Sequence, residues 1–185
     1  PIIAEFSNKY VYKGLLKNHN SLEKNRYDII HRLPFEDEAM NFINLAGTNC
    51  MAGKNSDNSR YNILSAIISV VTAINAEKNG VETVGVITPY AAQTRLIRAL
   101  LNDYRGNAIT KIFCSTVHQF QGSESDVIVF DAVESYPSLK TGWLMSKNDN
   151  NSLTRLINVA ITRARGKFIT VANGENSAQG NGITK

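Results

Sequence analysis

Short apolar runs of strand length recur along this chain with helical stripes between them, and that alternation restricts the fold more than any other feature. Val84–Gly85–Val86–Ile87 is a buried-strand run closed by Thr88–Pro89. Lys111–Ser115, Val127–Val133 and Lys167–Val171 read as further strands. Between and before them the period changes. From Ser59 to about Asn79, Ile63, Leu64, Ile67, Ile68, Val71 and Ile74 fall on one helical face. Ala91 to Asp103 places Ala92, Leu96, Ile97, Leu100 and Leu101 on one stripe, and Leu153–Thr162 reads as a third helix. Strands alternating with helices predict an α/β domain whose mostly parallel sheet is covered on both faces. The first 50 residues are less regular and give no firm assignment.

At 185 residues the chain is the size of one ordinary domain. An apolar share of 43% is enough for a core, and a charged share of only 19% argues against a disordered or coiled-coil chain. No apolar run approaches the ~18 residues of a membrane span, and no basic-then-apolar leader opens the chain. Lys and Arg number 20 against 16 Asp and Glu, a net charge of +4 that permits a nucleic-acid partner without demanding one. Two cysteines, Cys50 and Cys114, build neither a disulfide framework nor a cysteine metal site, so a reducing intracellular setting, cytoplasmic or nuclear, is expected. A chain that runs from Pro1 to Lys185 reads as a piece of something longer. Its tail, 174–185, is glycine-rich and expected to fray, which leaves 1–173 as the folded domain.

Architecture of this kind places functional loops at the carboxyl ends of strands, and three informative segments are expected there. The first is Thr88–Gln93. The second, Thr116–Val117–His118–Gln119–Phe120–Gln121–Gly122–Ser123–Glu124, packs hydroxyl, imidazole, amide and carboxylate groups directly after a strand. Thr116 and His118 are suited to hold phosphate oxygens, Glu124 could accept hydrogen bonds from sugar hydroxyls, and Gly122 permits a sharp turn. A polar loop that merely caps the next strand would show the same composition. In the third segment, Arg155, Asn158, Thr162 and Arg165 cluster on a polar helix face with Arg163 at its border, and no acidic residue lies in the helix to pair them. Planar, permanent cations suit phosphate, though a solvated basic face is the plain alternative. Gly47–Asn55 imitates a phosphate-binding loop, but five residues separate its glycines and Asn55 stands where a hydroxyl is needed, so it reads as a loop before the long helix. His19 and His31 have no ligand-spaced partner, and no metal site is expected.

Taken together, Val86–Ile87–Thr88–Pro89–Tyr90–Ala91–Ala92–Gln93, the 115–124 segment and Arg155–Leu156–Ile157–Asn158–Val159–Ala160–Ile161–Thr162–Arg163–Ala164–Arg165 resemble motifs IV, V and VI of superfamily 1 helicases, in order and in spacing. The branch resembled is that of the nonsense-mediated-decay and senataxin-type helicases, and the likeness covers nearly the whole chain. Phe6–Gly14 also resembles the start of the second motor domain in that family.

The resemblance implies a RecA-like, three-layer α/β/α domain: the carboxyl-terminal motor half of an ATP-dependent DNA or RNA helicase or translocase. It implies that Arg163 is the arginine finger and Arg155 its support. It also implies that Tyr12 (or Tyr10) packs near adenine and that Gln121, Gly122 and Glu124 face the nucleotide. Thr88, Pro89, Thr116 and His118 would line the track of a single strand of DNA or RNA. ATP with Mg2+ would sit between two motor domains, the metal held mainly by the first, because the family's Walker A loop and Asp-Glu-Ala motif are absent from this sequence. Two other readings stay open: a non-catalytic nucleic-acid-binding scaffold that keeps the fold, and the motor half of a helicase–nuclease or defence protein.

Overall fold

The computed structural model describes residues 3, 8, 28–106, 110–120, 122–135 and 152–174, with side chains from 156 onward in the last stretch. In chain order the elements are β1 (Met40–Asn44), β2 (Ala52–Lys54), β3 (Arg60–Asn62), α1 (Ile63–Lys78), β4 (Val84–Thr88), α2 (Ala91–Arg105), β5 (Ile112–Thr116), β6 (Ser125–Asp131), α3 (Ser152–Ile161) and β7 (Ala164–Ala172). Five strands form one sheet in the spatial order β1-β7-β6-β4-β5, and every neighbouring pair is parallel. β2 and β3 form a separate antiparallel hairpin.

Alternation along the strands divides the core in two. Val84, Val86, Val127, Val129, Ile169 and Val171 face one side, against Ala66, Val70 and Ala73 of α1 and Ile97 and Leu101 of α2. Ile128, Phe130 and Phe168 face the other, against Leu156, Ala160 and Ile161 of α3 and against Val117 and Phe120 of the segment after β5. A parallel sheet buried on both faces must be apolar on both, which is why these strands read as continuous apolar runs. β5 is an edge strand, and its outward carbonyls are covered by α2. Arg98 donates from Nε and Nη2 to the Cys114 carbonyl at 3.0 and 2.8 Å, and Arg105 donates to that of Ile112. These bonds remove acceptors that would otherwise invite another strand.

Three expectations are corrected. The long helix starts at Ile63 rather than Ser59. Arg60–Asn62 is strand, and the Asn62 side chain caps the helix by accepting from the Ser65 N–H at 3.1 Å. The buried face of α1 is not the large aliphatic stripe. Ile63, Ile67 and Val71 are 56, 43 and 59% exposed, while Ser65, Ala66, Ser69, Val70, Ala73 and Ala76 are buried. Small residues let the helix lie close to the sheet, and close approach wins over side-chain size. Lastly, Gly47–Asn55 is more than a loop: it contains β2, which turns back on β3 with Gly53 opposite Tyr61. A Cβ at Gly53 would lie 2.8 Å from the Tyr61 ring, so the glycine admits that ring. No helix follows Lys54, so the segment has no phosphate-loop geometry.

β1 lies in the stretch that gave no sequence signal. Its position is fixed partly by Lys167 of β7, a buried ammonium that donates to the carbonyls of Arg32, Pro34 and Phe35 at 2.5, 2.7 and 2.6 Å. Burial lowers the pKa of this group, and the three acceptors compensate its lost hydration. The expected fraying tail lies outside the described residues beyond Gly174.

Candidate functional site

A cleft of about 540 Å³ opens where β4 and β5 end, lined by Lys54, Asp57, Asn58, Ser59, Arg60, Pro89, Tyr90, Ala91, Thr116 and His118. Pro89, Thr116 and His118 come from two segments more than twenty residues apart and converge here because β4 and β5 are parallel neighbours in register, Thr88 opposite Thr116. The Thr88 carbonyl accepts from the Val117 N–H at 3.1 Å and joins the two loops. Thr88 itself is fully buried, with Oγ1 making no hydrogen bond among the described residues, and is not part of the cleft lining.

The other part of the lining was not legible as a site. Lys54 and Asp57–Arg60 belong to the β2–β3 hairpin, which is locked to the strand ends by buried polar contacts. Tyr90, the N-cap of α2, makes no side-chain cap bond, and Ser59 Oγ supplies one instead by accepting from the Ala92 N–H at 3.0 Å. Arg60 pairs with Glu134 just beyond β6, and the Tyr90 hydroxyl donates to the same carboxylate. Burial first, then the Glu134 charge, pushes the Tyr90 phenol far up, so it stays a donor. Gln93 Nε2 donates to Asp131 at 2.6 Å and to the Asn62 carbonyl at 3.0 Å, while its Oε1 accepts from the Asn62 N–H at 2.8 Å. Asp131 is fully buried, and desolvation raises its pKa to about 6 despite these bonds. The only advance signal of the hairpin was the turn composition of 55–59, where Asn58 takes a positive φ of 58°.

The segment after β5 does not stay at the carboxyl ends. Val117 and Phe120 are buried on the α3 side of the sheet, and Phe120 crosses over Gly85, where an added Cβ would lie 3.1 Å from its ring. The chain thus runs back to Ser125, the amino end of β6, whose N–H donates to the Arg163 carbonyl at 3.0 Å. Gly122, Glu124 and Arg163 therefore lie toward the amino ends of β6 and β7, at the opposite end of the strands from His118. This corrects the expectation that all three segments share the carboxyl ends.

The arginines also differ from their sequence reading. α3 ends at Ile161, so Arg163 lies in the turn before β7 and Arg165 lies within β7. Arg165 is paired from outside the helix: its Nε donates to Glu124 at 3.1 Å and its Nη1 lies 3.9 Å from Asp126. The Nε of Arg163, by contrast, is buried without a hydrogen-bond partner among the described residues. Gly122 takes a φ of +94° with open space where a Cβ would stand, and an unpaired arginine N–H is chemistry that suits a phosphate oxygen. Tyr12, Tyr10 and Gln121 lie outside the described residues, as does the side chain of Arg155.

Residues 1–175 match a protein-family model described as an AAA domain, and the chain belongs to that family. Several curated relatives carry the word helicase in their names. A "Regulator of nonsense transcripts 1 homolog" from Drosophila melanogaster is 27% identical over 177 residues, covering 94% of this chain and 14% of the relative. "Helicase sen1" from Schizosaccharomyces pombe is 29% identical over 182 residues, covering 95% of this chain and 10% of the relative. An uncharacterized ATP-dependent helicase from Methanocaldococcus jannaschii is 31% identical over 183 residues, covering 92% and 25%. The chain is thus a carboxyl-terminal domain of the superfamily 1 helicase type, in the nonsense-decay and senataxin branch. It spans no more than about a quarter of the length of these relatives.

Proposed function

We propose that this domain is the carboxyl-terminal motor half of an ATP-dependent helicase or translocase acting on single-stranded DNA or RNA. The observation that carries the reading is the cleft itself: it unites Pro89, Thr116 and His118 from separate loops in one concave surface. Groups of this kind hold a sugar–phosphate backbone and read no base, as a motor that must travel over any sequence requires. Thr88, buried beneath, supports Pro89 rather than touching the strand.

At the opposite end of the strands, Arg163, supported by Arg155, faces a nucleotide shared with a first motor domain. Tyr12, Gln121, Gly122 and Glu124 complete this half of the nucleotide site. ATP with Mg2+, the metal held mainly by that first domain, supplies the phosphoanhydride whose hydrolysis drives the cycle. The part played by Arg163 is electrostatic. Its guanidinium stabilises charge gathering on phosphate oxygens, a contribution of ~10³–10⁵ in rate when an arginine is supplied from a second domain. Because this arginine belongs to the second domain, closure of the two domains depends on the nucleotide.

The test is steady-state ATPase of the full-length protein at saturating single strand, with a thermal melt of each variant. Arg163→Ala should lower turnover by about 10³-fold or more at an unchanged melting temperature, and Arg163→Lys should rescue little, since an ammonium lacks the planar fork. Near-normal turnover in Arg163→Ala, or a loss that follows a collapsed melting temperature, removes the assignment.

A further inference from the structure

We infer that the β2–β3 hairpin is a strand-contacting wall of the cleft, and that Lys54 makes a phosphate contact there. The inference rests on the reading of the cleft as the strand track and adds to it a contact that lies outside the three helicase-like motifs. Half of the cleft lining belongs to this hairpin: Lys54, Asp57, Asn58, Ser59 and Arg60. Three of the lining groups bear on its charge. Arg60 is spent, since it is buried against Glu134. Asp57 lies 3.7 Å from Arg95 and is partly neutralised by it. Lys54 is exposed, stands at the end of β2 opposite Arg60, and forms no ion pair among the described residues. It is the cation of this wall that remains available to a ligand.

A phosphate contact needs a wall that holds its position, and the hairpin is held. Ser59 is bonded to the first turn of α2, Arg60 to Glu134, and Asn62 to Gln93. These anchors fix the hairpin against the loops that carry Pro89, Thr116 and His118. A single strand laid along those loops therefore meets Lys54 without rearrangement of the domain. The partner chemistry is a polyanionic backbone. Lys54 offers a point charge with no capacity to discriminate bases, so its contribution is independent of sequence.

The experiment is fluorescence anisotropy of the full-length protein with labelled oligo-dT and oligo-U at several salt concentrations. The proteins are the wild type, Lys54→Ala, Lys54→Glu, His118→Ala and Lys78→Ala. Lys78, in the last turn of α1 beside the Tyr104 ring, is the control for general positive charge. Loss of one phosphate contact on a single strand reduces the slope of log K against log salt by about 0.7, or about fivefold in affinity at 0.1 M salt. Lys54→Ala should show that reduction, Lys54→Glu a larger one, and Lys78→Ala neither. Lys54→Ala indistinguishable from wild type or from Lys78→Ala, while His118→Ala weakens binding, overturns the hairpin contact and leaves the track reading standing. Failure of the wild type to bind either oligonucleotide overturns the track reading itself.

Discussion

Arg163 and Arg165 look equivalent in the sequence and are not equivalent in space. Arg165 is half exposed and already paired with Glu124, itself half exposed. Exposed pairs of this kind contribute about 0–1 kcal/mol. Arg165→Ala should therefore shift the urea midpoint only slightly and lower turnover by no more than severalfold. A loss matching that of Arg163→Ala would show that the two act as one unit. A second residue-scale expectation concerns Asp131, whose pKa is about 6 in the fold against 3.8 for the free group. Between those values the native state holds the proton that the unfolded chain has lost, so stability falls as pH rises through this window and is flat above it. The gap corresponds to about 3 kcal/mol at most. Asp131→Asn should remove that slope: urea melts at pH 4.5 and 6.5 should differ less for the variant than for the wild type. An unchanged difference would place the titration elsewhere. Asp131 gave no sequence signal because it is buried by the fold, and its partners Ser65 of α1 and Gln93 of α2 come from distant parts of the chain.

At the scale of elements, β4 to β7 were legible because burial on both faces favours short apolar runs, whereas β1 carries no such run. Helix α1 was legible as a helix and misread as a surface. Periodicity finds a stripe of large residues, whereas the sheet selects the face that can approach it, here Ala66, Ala73 and Ala76. The hairpin escaped because three-residue strands carry too little pattern to be seen. Thr116 and His118 were legible as phosphate-holding groups because they lie in a polar segment at the end of a strand, and Pro89 joined them only through the resemblance to the helicase motifs. The same packing argument gives a test of the segment between β5 and β6 that links the two ends of the strands. A methyl at Gly85 would sit 2.8 Å from Ile128 and 3.1 Å from Phe120. Gly85→Ala should cost about 1–3 kcal/mol by overpacking. It should also weaken single-strand binding, because Phe120 anchors the loop that carries His118. Full stability with unaltered binding would mean that the loop is held by other contacts.

For the whole molecule, the consequential feature is that one short segment runs from the carboxyl end of β5 to the amino end of β6, at opposite ends of the strands. Thr116 and His118 open it at the cleft, and Gly122 and Glu124 close it beside Arg163. On the proposed reading, strand and nucleotide are thereby read by two ends of one loop pinned at Phe120, a short mechanical path between them. This separation could not be seen in the sequence, where the motif is continuous and its two ends seem to share one place. The central claim is that this domain is one half of a motor whose nucleotide site is completed by another domain. It is tested most directly by measuring ATP turnover of the full-length protein and of the 185-residue chain, each with and without single strand, after melts establish that both are folded. The expected result is strand-stimulated turnover by the full-length protein and none by the 185-residue chain, because on the proposed reading the lysine loop and the magnesium carboxylate of phosphoryl transfer belong to the first motor domain. Strand-stimulated turnover by the 185-residue chain alone, or a folded full-length protein that hydrolyses no ATP in the presence of strand, would contradict it.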